Sequence, residues 1–109
     1  MIKNHQENFI TVMGIDPGLA TTGYGIIRSN GREHEILKAH YLKTSPKVDH
    51  FERLHYIFTE INNLMIEYHP KEIAIESQFV SKNVRSAISV AEARTVAILA
   101  ASMHEIDIF

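Results

Sequence analysis

The sequence predicts an α/β domain: a mixed sheet in which a three-strand antiparallel meander is extended by parallel strands, with helices on its faces. Three observations carry this. The first 43 residues hold three runs rich in β-branched and aromatic residues, separated by short turn signals. An amphipathic stretch ending in proline then leads into a short, wholly apolar run, as a helical crossover leads into a buried parallel strand. That helix-then-strand pattern is repeated once more before the chain ends.

The first run, Phe9 to Ile15, stops at Asp16-Pro17-Gly18, which places Asp16 at the carboxyl end of a strand. A second strand starts at Gly23-Tyr24-Gly25-Ile26-Ile27. Asn30-Gly31 is a hairpin signal, Glu35 to Leu42 is the third strand, and Ser45-Pro46 closes the meander. Between Asp49 and His69 the apolar residues Phe51, Leu54, Ile57, Ile61, Leu64 and Tyr68 fall three or four apart, which puts them on one helical face. Pro70 ends that helix. Ile73-Ala74-Ile75 is the buried parallel strand, and it runs directly into Glu76.

A second helix is expected over Val84 to Met103, with Asn83 as its amino-terminal cap. Val84, Ala87, Ile88, Ala91 and Ile98 form one face, while Val90, Ala93, Ala97, Ala100 and Ala101 spread around the rest. A helix apolar nearly all round is expected to be buried on two sides, one against the sheet and one against more chain or a second copy. Ile106 to Phe109 has the composition of a last strand. Residues 1–8 form a polar tail, taken as flexible, before a domain spanning 9–109.

Composition narrows the chemistry. The chain has 109 residues and no cysteine, so disulfides and thiolate zinc sites are both excluded, and a metal here would need hard oxygen or histidine ligands suited to magnesium or manganese. The longest apolar run, Val96 to Ala101, is far shorter than the ~20 residues of a membrane span. With a polar start lacking a signal-peptide core, the expectation is a cytoplasmic protein. A net charge of −2 gives no overall basic field, so any nucleic-acid surface must be local. Ser77 to Arg94 is such a locality, with Lys82, Arg85 and Arg94 against Glu92 alone, although by itself this is a weak signal that a solvated helix face more often explains. The seven histidines show no metal-ligand spacing.

Asp16 and Glu76 each follow an apolar strand, and if those strands are parallel neighbours the carboxylates converge at one sheet edge, where α/β sheets bind ligands. Paired carboxylates repel unless one is protonated or a cation lies between them. The alternative is that Asp16 is a turn residue and Glu76 a solvated strand end.

Gly14-Ile15-Asp16-Pro17-Gly18, followed by Thr22-Gly23-Tyr24-Gly25, resembles the opening of the RuvC family of Holliday-junction resolvases. Ala74-Ile75-Glu76-Ser77-Gln78-Phe79-Val80-Ser81-Lys82-Asn83 resembles that family's second signature. Ala91-Glu92-Ala93-Arg94 stands where the family usually has Gly-Gln-Ala-Arg. The resemblance runs from about Ile10 to Phe109 and implies a ribonuclease H-like nuclease that cuts a four-way DNA junction symmetrically as a homodimer with magnesium, manganese being an alternative. Asp16 and Glu76 match two of its catalytic, metal-binding carboxylates, at a site holding two ions about 3.5–4 Å apart. Phe79 matches an aromatic that stacks on a junction base. Lys82 and Arg85 would contact phosphates beside it, and Asn83 is either a cap or a backbone contact. Family partners RuvA and RuvB, which bind junctions and drive branch migration, are implied in the same way.

The family adds further acidic residues, or a histidine, on a carboxyl-terminal helix that this sequence does not contain. Glu105 and Asp107 are the only late acids, and they fall on a helix end and a strand. The chain therefore reads as the amino-terminal two-thirds or so of a resolvase, incomplete at its carboxyl end. Alternatives are a non-catalytic dimerisation or DNA-binding module, a related ribosomal-RNA-processing nuclease, and a sugar-kinase or actin-like ATPase. The Glu76 motif weighs against the last two, and an ATPase would also need a second domain.

Overall fold

A computed structural model describes residues 8–77 and 83–109. The first three strands are β1 (Ile10–Asp16), β2 (Thr21–Ser29) and β3 (His34–Lys43), and they form the expected antiparallel meander. Helix α1 (His50–Tyr68) then crosses over to β4 (Glu72–Ile75), which pairs parallel to β1. Helix α2 (Val84–Met103) crosses again to β5 (Asp107–Ile108), parallel to β4. The sheet order is β3-β2-β1-β4-β5, so β1 and β4 lie at its centre.

Local chemistry explains the boundaries. Gly31 adopts φ 92° in the hairpin between β2 and β3, a left-handed conformation open to glycine at no steric cost. Helix α1 ends in a left-handed cap at His69, whose N–H donates to the Met65 carbonyl, and Pro70 cannot continue it. Asn83 caps α2 as expected: its side-chain oxygen accepts from the amides of Arg85 (2.9 Å) and Ser86 (3.3 Å).

One contiguous core lies on one side of the sheet. Met13 and Ile15 of β1, Tyr24 and Ile26 of β2, and Ile73 and Ile75 of β4 meet Ile57, Ile61, Leu64 and Met65 of α1. Each fully buried isoleucine of that set contributes roughly 1.5–3 kcal/mol. The sheet's alternation leaves Gly14, Asp16, Gly23, Gly25 and Ala74 on the opposite side, and among the described residues no helix covers it.

One expectation about packing is corrected. Phe51 is not on the buried face of α1; it lies in the helix's first turn and is 77% exposed. Among the described residues helix α2 is covered on one side, and the second cover that its apolar residues call for is not supplied by them. Ala93, Ala97, Ala100 and Ala101 are the buried residues, while Val84, Ile88, Leu99 and Met103 are exposed. Small side chains let α2 approach α1, β4 and β5 closely, so the larger apolar residues point outward. By length and composition α2 could cross a membrane, but its alanine side is engaged in this core.

Candidate active site

The site is built from the two central strands. Ile15 and Ile75 are register partners and both face the core, so Asp16 and Glu76, the next residues, both emerge on the open side. The ladder continues one step further, the Glu76 N–H donating to the Ile15 carbonyl at 2.9 Å. Both carboxylates are exposed to solvent at the head of a shallow cleft of about 460 Å³, floored by Gly14, Gly23, Gly25 and Ala74. The Asp16 carboxyl is pushed above its ordinary range, first by loss of surrounding water, then by a hydrogen bond with Glu76 and by that neighbour's negative charge.

The loop after Asp16 is stapled shut. The Thr22 hydroxyl donates to the Gly18 carbonyl (2.6 Å) and accepts from the Gly18 amide (3.2 Å), and Thr22 is buried. Gly18 has to be glycine, since a Cβ there would lie 2.4 Å from the Thr21 carbonyl oxygen. A second link runs outward: the Thr44 hydroxyl donates to the Leu19 carbonyl (2.6 Å) and accepts from Nε of Arg53 (2.9 Å).

Beyond that loop lies a second cleft, of about 510 Å³, lined by Gly18 to Thr21, by Arg53 of α1, and by Arg85, Ser86 and Ser89 of α2. Arg53 and Arg85 both line it, and among the described residues no acidic residue does. Arg85 is one of the expected phosphate contacts. Arg53 was not expected, because one arginine beside an amphipathic helix face gives no signal in a sequence. Asn83 has its side-chain oxygen committed to the cap. Phe79 and Lys82 lie outside the described residues.

The late acids are excluded by geometry. Asp107 is the register partner of Glu72, at the amino end of β4, whereas Asp16 and Glu76 sit at the carboxyl end of the central pair. Glu105 precedes β5 at that same far edge. No third His, Asp or Glu joins a metal-ligating cluster among the described residues. Asp16 and Glu76 nonetheless fit a divalent cation as two of its ligands: they are hard oxygen donors, adjacent, exposed and mutually repelling.

Comparison with known proteins agrees with this arrangement. The profile of the crossover junction endodeoxyribonuclease RuvC family matches residues 12–109. The RuvC of Alkaliphilus metalliredigens is 40% identical over 98 residues, covering 90% of this chain and 60% of that protein. The RuvC of Treponema denticola is 46% identical over 89 residues, covering 82% of this chain and 50% of that protein. The chain thus spans about half to three-fifths of these relatives' length. Among solved structures, Thermus thermophilus RuvC in complex with a Holliday junction substrate superposes with a TM-score of 0.85 at 25% identity, over 92% of this chain and 62% of that one. The Aquifex aeolicus PPX-GPPA enzyme shares only the fold, with a TM-score of 0.52 at 12% identity. With a profile match over nearly its whole length and the two acidic motifs meeting at one sheet edge, this ribonuclease H-like chain belongs to the RuvC family.

Proposed function

We propose that the chain carries the nuclease core of a structure-selective DNA endonuclease that resolves four-way (Holliday) junctions by paired, metal-dependent phosphodiester hydrolysis in recombination and repair. One observation supports this most directly: Asp16 and Glu76 emerge side by side on an open sheet face from adjacent parallel strands.

Asp16 and Glu76 would hold the cation, with magnesium preferred and manganese acceptable to the same oxygen donors. When bound, such ions generate a nucleophilic hydroxide from water and stabilise the leaving oxygen. The protein's own residues do the rest. The paired carboxylates repel a bare phosphate, so DNA reaches the floor only when their charge is neutralised. Arg53 and Arg85 line a cleft behind the Gly18 loop, acid-free among the described residues, which would hold a strand's phosphates without reading its sequence. The Thr22 staple keeps the loop between the two clefts in one conformation.

Paired cleavage needs two sites. The exposed side of α2, with Val84, Ile88, Leu99 and Met103, is the surface on which we place a homodimer contact. RuvA and RuvB are the partners this reading proposes, and a cytoplasmic location goes with it as a proposal. The test is cleavage of a synthetic four-way junction with magnesium by the protein extended to its relatives' length. Symmetric nicks at paired positions are expected. Cleavage of linear duplex at the same rate would overturn the junction assignment.

A further inference from the structure

The open face holds an aromatic residue that the site described so far leaves without a task. Asp16 pairs with Gly23 across the β1–β2 ladder, and Gly23 pairs with Tyr41 across the β2–β3 ladder. Asp16, Gly23 and Tyr41 thus form one row across three strands, on the face that also carries Glu76. Gly23 has no side chain, and Tyr41 fills the space above it. A Cβ built on Gly23 would lie 3.5 and 3.6 Å from Cε1 and Cδ1 of Tyr41, and 3.8 Å from Cβ of Asp16. Gly23 thus has the Tyr41 ring on one side and Asp16 on the other, and Tyr41 remains 60% exposed. Lys43, two residues on along the same strand, is exposed on the same side.

We propose that Tyr41 is a positioning residue for the DNA strand cut at Asp16 and Glu76: its ring supports the sugar or base flanking the scissile phosphate, and Lys43 meets the next phosphate. The inference rests on the nuclease reading given above. A strand reaching Asp16 along the open face must pass over bare glycines on one side and this ring on the other. An exposed ring beside a cation suits nucleotides generally, since every base offers a π-face and every linkage a negative charge. Stacking fixes where the strand lies without selecting its sequence.

The test uses the extended protein and a four-way junction under single-turnover conditions. Tyr41→Ala should slow cleavage about tenfold or more at saturating protein while junction affinity changes about twofold or less, and Tyr41→Phe should restore most of the rate. Residues 1–109 contain no tryptophan, so Tyr41→Trp adds a reporter whose fluorescence, read as the difference from the unsubstituted extended protein, should be quenched by junction DNA but not by heparin. Wild-type cleavage by Tyr41→Ala, or an indole reporter that junction DNA leaves unquenched, overturns the proposal. So does a lowered melting temperature for Tyr41→Ala with an unchanged rate, since that marks a ring merely packed against the rest of the protein. Asp16→Asn, run in parallel, separates the readings: if it still cuts, the nuclease assignment fails; if it is inactive while Tyr41→Ala is normal, only the role of Tyr41 fails.

Discussion

Ile15 and Ile75 face each other as parallel register partners, and because both side chains enter the core, the acids that follow them are held together on the opposite side. The hydrophobic effect therefore aims the carboxylates: burying two isoleucines forces Asp16 and Glu76 into proximity at the cost of their mutual repulsion. The experiments below follow from that tension and from the surfaces around it.

In the extended protein, Asp16→Asn or Glu76→Gln should lower junction cleavage by at least about a hundredfold and leave junction binding within about twofold, because metal and DNA are held by different groups. Gel-shift and nicking assays on the same preparations check this. Near-normal cutting by either variant would remove the site.

The pH dependence has a definite sign. Asp16 is raised in the folded state, so the folded metal-free protein holds its proton to higher pH than the unfolded chain does. On this group's account stability is greatest below the unfolded carboxyl range and falls as pH rises through the raised folded value. Asp16→Asn should therefore melt higher than wild type at pH 7, with the gap closing towards pH 4. Calorimetric scans without metal measure it, and a gap that does not vary with pH would contradict the shift. Magnesium competes with that same proton, so its stabilising effect should weaken on acidification.

The two sides of α2 should behave differently. Ala97→Glu puts a charge into the core and should leave little folded protein, while Leu99→Glu leaves folding intact. If the outer face carries the dimer, Ile88→Glu with Leu99→Glu should shift sedimentation from dimer to monomer without changing the circular dichroism of the fold.

Gly14 offers a comparison between short and long chains. A Cβ there meets nothing within 4 Å, so Gly14→Ala in residues 1–109 should stabilise by about 0.4–1 kcal/mol through the unfolded state alone. In a chain extended to the relatives' length the same change should be costly, if added residues pack on the trough. Melting temperatures of both pairs decide it; stabilisation in both would mean that the trough stays open.

Residues 1–109 alone should not resolve junctions with magnesium. Asp16 and Glu76 neutralise two charges of a two-ion site carrying four, and no third ligand stands near them among the described residues. Cutting at a rate comparable to the extended protein would show that the visible pair suffices.

Much of this was legible in the sequence because local and tertiary demands agree. β1 ends on an acid and β4 runs directly into one, α1 carries a clean periodicity between them, and the helical crossover makes the two strands parallel neighbours. The exposure of Phe51 and the alanine-lined packing of α2 were not legible for one reason: periodicity tells which residues share a face but not how closely that face approaches its neighbour. In α2 close approach selects alanine, reversing the rule that larger apolar residues go inside. Tyr41 and Arg53 could not be found this way. The position of Tyr41 beside Asp16 depends on two ladders, and the second contains a register shift between Ile26 and Ile27. Arg53 matters only because Thr44 and the Gly18 loop fold back onto α1.

The Thr44 hydroxyl has a single hydrogen, spent on the Leu19 carbonyl, and its lone pair receives Arg53. The placement of the Arg53 side chain and the posture of the segment behind Asp16 thus share one atom, so a change to one is carried to the other. Thr44→Val would take a partner from both the Arg53 Nε–H and the Leu19 carbonyl, loosening α1 and the loop behind Asp16 together.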